Sequence, residues 1–431
     1  MQFLYDILAI CLVILAMPVF LVRLLRENGF GERLRQSFGL IPDAVMDRVA
    51  GKDCIWLHAA SVGEIVAASP IVKEIRQAFP GVPILISVVT ANGYAMAHRI
   101  IPDADSIIYF PIDLPWLSER AVRKIRPRVF LPVETELWPN FLRSARKHQI
   151  PVMMVNGRIS DKSVRRYRHL GGILANMLDT VEKFCMQSTI DAQYIIQMGA
   201  DPRRVIVTGN TKFDQTYTDI SSEEIATLRR QLGLTASNPV IVAGSTHKGE
   251  EEMLFSALKK VKTAFPETAL VIAPREILRT EEISAMAVKA GFAAATRTGL
   301  KDKLTSAHDV VILDTIGELG KVYGLGDIIF VGGSLISRGG HNILEPAAHG
   351  KPILVGPHMF NFKESYALFS GRGACATVYD EISLTDKVME ILSTEPLRRS
   401  MSEEALAIVR ENQGAAKKSA IYLKELLENR Q

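Results

Sequence analysis

Residues 54–89 read CIWLHAASVGEIVAASPIVKEIRQAFPGVPILISVV, and the fold follows from how this stretch divides. Cys54–His58 is a short β-rich apolar run, Ile65–Phe79 repeats its apolar positions at helical spacing, and Pro83–Val89 is a second β-rich run. Strand, helix, strand in that order is the unit of a parallel sheet, because a parallel partner needs a crossover and a helix supplies it. At the first junction lies His58-Ala-Ala-Ser-Val-Gly-Glu64, which puts a carboxylate where the strand gives way to the helix.

The alternation continues outward. Runs at 106–110 (SIIYF), 128–133 (RVFLPV), 151–156 (PVMMVN) and 205–208 (VIVT) complete the first half. After a polar connection carrying a helical pattern at Glu223–Leu232, runs at 239–244, 269–274, 309–314, 327–332 and 352–356 restart it. The fold class is therefore α/β, with two doubly wound Rossmann-like domains facing a cleft and ligands expected beyond the carboxyl ends of the strands. The boundaries read 1–26 for an N-terminal apolar segment, 27–215 for the first domain, 216–238 for the connection, and 239–431 for the second domain with its C-terminal helices.

Composition agrees with this reading: 431 residues, 48% hydrophobic and 23% charged, suit two globular domains and exclude disorder of the whole chain. Cys11, Cys54, Cys185 and Cys375 are far apart and form no metal-ligand spacing, which argues for a reducing compartment and against a structural zinc. From Ile7 the stretch ILAICLVILAMPVFLV is uninterrupted apolar, with Asp6 before it, Pro18 inside it and Arg23 and Arg26 after it. That length spans a bilayer only marginally, so the segment reads as a single-pass or interfacial anchor, with a buried core helix as the other reading. The arginines on its C-terminal side, Arg33 and Arg35 among them, favour keeping the remainder cytoplasmic.

At Glu64 the local pattern leaves two readings open. Ser61-x-x-Glu64 matches a capping box, and a loop at the carboxyl end of a strand is also where this architecture places ligands, with Ser61 and Gly63 forming the turn. After the fourth strand comes Glu134-Thr-Glu136-Leu-Trp-Pro-Asn140, in which Glu136 reads as a cap for the helix beginning near Leu137. Asn156-Gly-Arg158-Ile-Ser160 and Gly209-Asn-Thr-Lys212-Phe-Asp214 follow later strands, so polar loops recur at one end of one sheet. In the second half, Ala243-Gly-Ser-Thr246 leading into Lys248-Gly-Glu-Glu, and Val331-Gly-Gly-Ser334 with Arg338-Gly-Gly-His-Asn342, offer backbone N–H groups suited to an anion. Tight packing is the other reading of such glycines. Neither a Walker loop nor a GxGxxG fingerprint is present.

Asp103-Ala-Asp105 has the DxD spacing of a cation site, but it lies at the wrong end of the sheet and reads as a solvated turn. His58, His247, His341, His349 and His358 are scattered without metal-ligand spacing. A basic run covers Arg120, Arg123, Lys124, Arg126, Arg128, Arg143, Arg146, Lys147, Arg158, Lys162, Arg165, Arg166 and Arg168. Beside an apolar anchor, an anionic membrane or a phosphorylated lipid suits that charge better than nucleic acid does, and a solvated face with no partner is the other reading.

HAASVGE, ETELWPN, NGRIS, TGNTKFD, GSTHKGEE, APRE and GGSLISRGGHNILEPAAHGKPILVGPHMFNF, in this order behind an N-terminal anchor, resemble the 3-deoxy-D-manno-octulosonic acid (Kdo) transferases of lipopolysaccharide synthesis. The resemblance implies a metal-independent GT-B glycosyltransferase without cofactor at the cytoplasmic face of the inner membrane. It would move Kdo from CMP-Kdo to a lipid A precursor. It also implies Glu64 as the general base and Glu134 and Lys212 in transition-state stabilisation. CMP contacts carry over to Pro274, Arg275, Gly317, Glu318, Leu319, Asn342, Ile343, Leu344 and Glu345. Rival readings are an enzyme using a UDP-sugar and a non-catalytic module that binds anionic lipid.

Overall fold

The computed structural model describes residues 2–26, 29–160, 163–164, 171–215, 220–235, 238–302 and 308–430. Of the basic run, Lys162, Arg165, Arg166 and Arg168 lie outside the described residues. The chain forms two compact units, one of residues 1–215 with 412–431, the other of residues 216–411.

The strands of the first unit are Ile55–His58 (β1), Ile84–Val88 (β2), Ser106–Tyr109 (β3), Val129–Pro132 (β4), Val152–Gly157 (β5), Val181–Met186 (β6) and Val205–Val207 (β7). They make one parallel sheet in the order β3-β2-β1-β4-β5-β6-β7. The chain winds outward from β1 in one direction and then, from β4, in the other, so the switch point lies between those two strands. β1 through β5 are buried along their full length, as expected for strands covered on both faces.

Alternation along β1 divides the core. Ile55 and Leu57 point to the face covered by the helix Val62–Ala78, through Ile65, Ile71 and Ile75. Trp56 points to the other face, where Phe130 and Phe141 meet it edge-on with ring centroids 5.8 and 5.0 Å away. The C-terminal helix Ala415–Glu428 lies on the Ile55 face, where Ala416, Leu423 and Leu427 are buried. Residues 412–431 therefore pack in the first unit, not with the second as the linear order of the sequence implies. The carboxylate of Asp214 fixes this return by accepting the N–H groups of Gly414 and Ala416.

The second unit has the strands Val240–Thr246 (β8), Ala269–Pro274 (β9), Ala294–Thr296 (β10), Val310–Ile312 (β11), Ile328–Val331 (β12), Ile353–Val355 (β13) and Cys375–Thr377 (β14). Its sheet is also parallel, in the order β10-β11-β9-β8-β12-β13-β14, with the switch point between β8 and β12. The connecting helix Ser222–Gln231 belongs to this unit, and Arg229 binds it by donating to the carbonyl of Leu325.

The helix Gln2–Arg26 carries an apolar stretch over Tyr5–Arg23 that is long enough to cross a membrane. Leu12, Ile14, Leu15, Val19 and Leu25 are exposed on it. It touches the first unit at both ends: the Tyr5 hydroxyl donates to Asp113 at 3.3 Å, Arg143 pairs with Asp6 at 3.3 Å, and the Phe20 and Phe30 rings stand 6.5 Å apart.

Candidate active site

In the first unit the polar loops singled out from sequence all follow carboxyl ends of strands of the one parallel sheet. Glu64 follows β1, Glu134 and Glu136 follow β4, Arg158 follows β5 and Lys212 follows β7. The pairs nearest the switch point are the acidic ones.

Glu64 lies in the first turn of the helix Val62–Ala78. Its Oε2 accepts the Ala60 N–H at 2.6 Å and its Oε1 accepts the Ser61 hydroxyl at 2.9 Å. Ser61 is the N-cap residue but makes no side-chain cap bond, so the capping box expected from Ser61-x-x-Glu64 is absent. The hydroxyl proton is spent on the carboxylate instead. Burial, then the charge of Glu136, pushes the Glu64 carboxyl up to about 7, against the pull of its two hydrogen bonds.

Glu136 does not cap a helix. The helix begins at Pro139, and its first N–H groups, those of Asn140 and Phe141, are taken by the carboxylate of Asp113 at 3.0 and 2.8 Å. Glu136 instead accepts the Trp138 indole N–H at 2.8 Å and lies 3.4 Å from Nε2 of His58. His58 is completely buried, stacked on Phe110 at 3.8 Å, with Nδ1 against the carbonyl and hydroxyl oxygens of Ser87. Sequence reasoning left His58 among scattered histidines. Strand parity held the missing signal, since His58 shares the aromatic face of Trp56 and is the last residue of β1.

Glu134 has a left-handed backbone, φ 57°, a conformation that a residue with a side chain adopts at some cost. Its N–H donates to the Val155 carbonyl, and its Oε1 is buried without a hydrogen bond, 3.6 Å from Nζ of Lys212. Lys212 is set by a 3₁₀ turn, Thr211–Asp214, pinned on three sides. The Asn156 side chain accepts the Thr211 N–H, the Thr211 hydroxyl donates to the Ala67 carbonyl, and the Asn210 side chain accepts the Lys212 N–H. Glu64, Glu134 and Lys212 are thus brought to one end of one sheet, with Glu134 and Glu136 both raising the Glu64 carboxyl.

In the second unit, Pro274 ends β9 and Arg275 follows it, exposed, with its N–H on the Thr246 carbonyl. Gly317 has φ 91°, and Glu318 is held by Arg297 and the Thr315 hydroxyl just before the helix Leu319–Tyr323. The helix expected near Asn342 is only Leu344–Ala348, and the Asn342 side chain occupies the Leu344 N–H at 3.0 Å. Ile343 is buried ahead of it. Glu345 is half-buried, and that burial raises its carboxyl; it has no hydrogen bond or ion pair among the described residues.

The glycine-rich anion sites need correcting. The Glu250 carboxylate is fully buried and already accepts the N–H groups of His247, Gly333, Ser334 and Leu335 at 2.8–3.0 Å. Glu252 accepts that of Gly249. The chain supplies its own anion there, and Gly332 is needed because a Cβ would come within 2.5 Å of the Ser245 carbonyl oxygen. His247 and His341 meet through their Nε2 atoms at 2.9 Å, so one donates and the other accepts. Burial and the neighbouring charges hold the His341 ring down at about 4. Asp105 is no free turn residue either, since its carboxylate accepts from Arg76 and from the Ile84 N–H.

A family model described as 3-deoxy-D-manno-octulosonic-acid transferase matches residues 32–215, the stretch carrying Glu64, Glu134 and Lys212. A 3-deoxy-D-manno-octulosonic acid transferase of Haemophilus influenzae is 30% identical over 405 residues, covering 94% of this chain and 93% of that one. The chain belongs to the Kdo transferase family. A relative of the same description from Bordetella pertussis is 32% identical over 381 residues, 86% of this chain and 87% of its own. As a Kdo transferase the chain is a glycosyltransferase. Its fold resembles the UDP-GlcNAc 2-epimerase of Neisseria meningitidis, solved with UDP-GlcNAc, at 14% identity and a TM-score of 0.57, covering 87% of this chain and 99% of that one. The two parallel seven-stranded sheets are of the GT-B type.

Proposed function

We propose that this Kdo transferase moves Kdo from CMP-Kdo to a hydroxyl of a lipid A precursor, with inversion at the anomeric carbon and Glu64 as general base. The observation that carries the reading is the Glu64 carboxyl, raised to about 7 beside Glu136 and Glu134 at the switch point of its sheet. An acceptor hydroxyl must lose its proton as it attacks, and a carboxylate titrating near neutrality both exists in the ionised form and holds the proton it takes. Attack on the face opposite the leaving CMP gives inversion. Lys212, steadied by Glu134 at 3.6 Å, supplies positive charge where negative charge develops.

In the second unit we assign CMP to Pro274 and Arg275, to Gly317, Glu318 and Leu319, and to Asn342, Ile343, Leu344 and Glu345. Because Glu250 occupies the N–H groups of residues 333–335, the leaving phosphate falls to the exposed Arg275. Glu345, with no hydrogen bond or ion pair among the described residues and raised by burial, suits the ribose hydroxyls. No metal enters this reading; the one acidic pair with a suggestive spacing has Asp105 committed to Arg76.

We place the enzyme at the cytoplasmic face of the inner membrane, with the helix Gln2–Arg26 lying in the interface. Contacts of Tyr5 and Phe20 to the same unit, together with the exposed apolar side chains between them, support that placement over a perpendicular span. Exposed Arg123, Lys124, Arg126 and Arg146 meet anionic headgroups.

The test is Glu64→Gln. We expect transfer to fall at least about a hundredfold, with the stabilisation of the protein by CMP, and its preference over UDP, retained in thermal-shift measurements. Near-parental transfer by a folded Glu64→Gln enzyme would remove Glu64 as the base.

A further inference from the structure

On the aromatic face of the first sheet, Trp56, Ser87 and His58 form a line of fully buried polar side chains that ends on Glu136, and the transfer reaction gives it no role. The Trp56 indole N–H donates to the Ser87 hydroxyl at 2.8 Å. Ser87 is the register partner of His58, and its hydroxyl and carbonyl oxygens lie 3.0 and 3.1 Å from Nδ1 of the imidazole. Across the ring, Nε2 is buried without a hydrogen bond, 3.4 Å from Oε2 of Glu136, the same oxygen that accepts the Trp138 indole N–H at 2.8 Å. Stacking against Phe110 and Phe130 fixes the ring plane and so the direction of both nitrogens.

The protons are placed by elimination. The Ser87 carbonyl already accepts the Ala59 N–H at 3.0 Å. The Ser87 hydroxyl, having accepted from Trp56, still has its own proton to give, and Nδ1 is its only other partner among the described residues. Ser87 thus donates to Nδ1, and the ring proton sits on Nε2. With the proton on Nδ1 instead, a buried lone pair would face a carboxylate oxygen and the Ser87 proton would be stranded.

We propose that His58 is a positioning residue, whose Nε2–H donates to Glu136 and, with the Trp138 N–H, holds that carboxylate as a fixed negative charge against Glu64. The proposal rests on the reading of Glu64 as the base and adds what sets the proton affinity of that base. Among the charges acting on Glu64, that of Glu136 comes ahead of that of Glu134, which Lys212 faces at 3.6 Å. Asp113, the carboxylate of the loop after β3, is turned to the helix at Pro139. Without the imidazole donor Glu136 either turns away or takes up a proton itself, and in both cases Glu64 becomes easier to ionise.

The experiment pairs two substitutions in the full-length enzyme. An asparagine amide reaches the place of Nδ1 and a glutamine amide that of Nε2, so His58→Asn loses the donor to Glu136 and His58→Gln keeps it. His58→Asn is expected to move the acidic limb of the transfer rate down by about half to one pH unit, which raises the rate at pH 6, as a share of that at pH 8, about two- to fivefold. His58→Gln is expected to leave the limb in place, and His58→Asn added to Glu136→Gln to move it no further than Glu136→Gln alone. A loss of rate equal at every pH, or shifts that add in the double variant, would reduce His58 to packing and overturn the proposal. The same displacement is read without turnover, from the pH at which each protein and its Glu64→Gln counterpart diverge in melting temperature. If that pH moves with His58→Asn while Glu64→Gln still transfers Kdo, the base assignment falls and the positioning role stands; an unmoved pH with transfer abolished by Glu64→Gln gives the reverse. Should the His58 variants fold poorly, nitrogen-15 NMR of the histidine-labelled parent decides. A proton on Nε2 that responds to Glu136→Gln supports the proposal, and a bare Nε2 or no response overturns it.

Discussion

The Glu64 carboxyl gives a sharp pH prediction, because the folded chain moves it from 4.5 to about 7. If ionised Glu64 accepts the acceptor proton, the transfer rate at subsaturating substrate rises about tenfold between pH 6 and pH 8, as the ionised fraction goes from about one-tenth to about nine-tenths. A carboxylate of ordinary value would be ionised throughout and the rate flat. Glu136→Gln removes a like charge but leaves the larger cause, burial, so the acidic limb moves down by on the order of one pH unit or less. A second consequence is independent of turnover. A carboxyl raised in the folded state stabilises the protein below 4.5, and that contribution is lost as pH climbs through about 7. The displacement is worth roughly 3 kcal/mol. Glu64→Gln does not titrate, so its melting temperature relative to the parent should climb between pH 5 and pH 8, even as its transfer collapses. The assays are CMP release against pH and calorimetry in matched buffers. A flat rate across pH 6–8 together with a melting difference that ignores pH would refute the reasoning.

Two further perturbations separate turnover from stability. Lys212→Met should lower kcat about tenfold to a thousandfold with little change in CMP affinity, measured by steady-state kinetics and thermal shift, because its charge is assigned to the transition state. Glu250→Ala orphans four N–H groups, three of them buried, and should destabilise the protein by about 3 kcal/mol or more in denaturant unfolding; a loss below about 1 kcal/mol would show that the loop re-forms around water.

Much of the fold was legible because fully buried parallel strands are continuous apolar runs, as in Ile84–Val88 and Ile328–Val331. β6, β10 and β14 were not. Val181–Met186 continues straight from the helix Gly172–Thr180 and carries Glu182 and Lys183 half-exposed. Ala294–Thr296 and Cys375–Thr377 are three-residue edge strands with little apolar mass. The return of Ala415–Glu428 to the first unit was hidden for a different reason: it depends on Asp214, some 200 residues away, and amphipathic spacing does not name the partner surface.

At the site, the positions of Glu64, Glu134 and Lys212 after strand ends followed from topology alone. Their couplings did not. Asp113 capping a distant helix, Glu136 turned toward His58, and Glu250 filling the glycine-rich loop are each one side chain meeting backbone or a ring from another loop. Local patterns such as Ser61-x-x-Glu64 name the nearest donor, and the fold supplied different ones.

The most direct measurement incubates the purified enzyme with CMP-Kdo and a lipid A precursor and weighs the lipid products by mass spectrometry. The account predicts products heavier by whole Kdo residues, formed by the parent and lost with Glu64→Gln. An unchanged acceptor mass under conditions where CMP binds, or transfer from a UDP-sugar in place of CMP-Kdo, would contradict it.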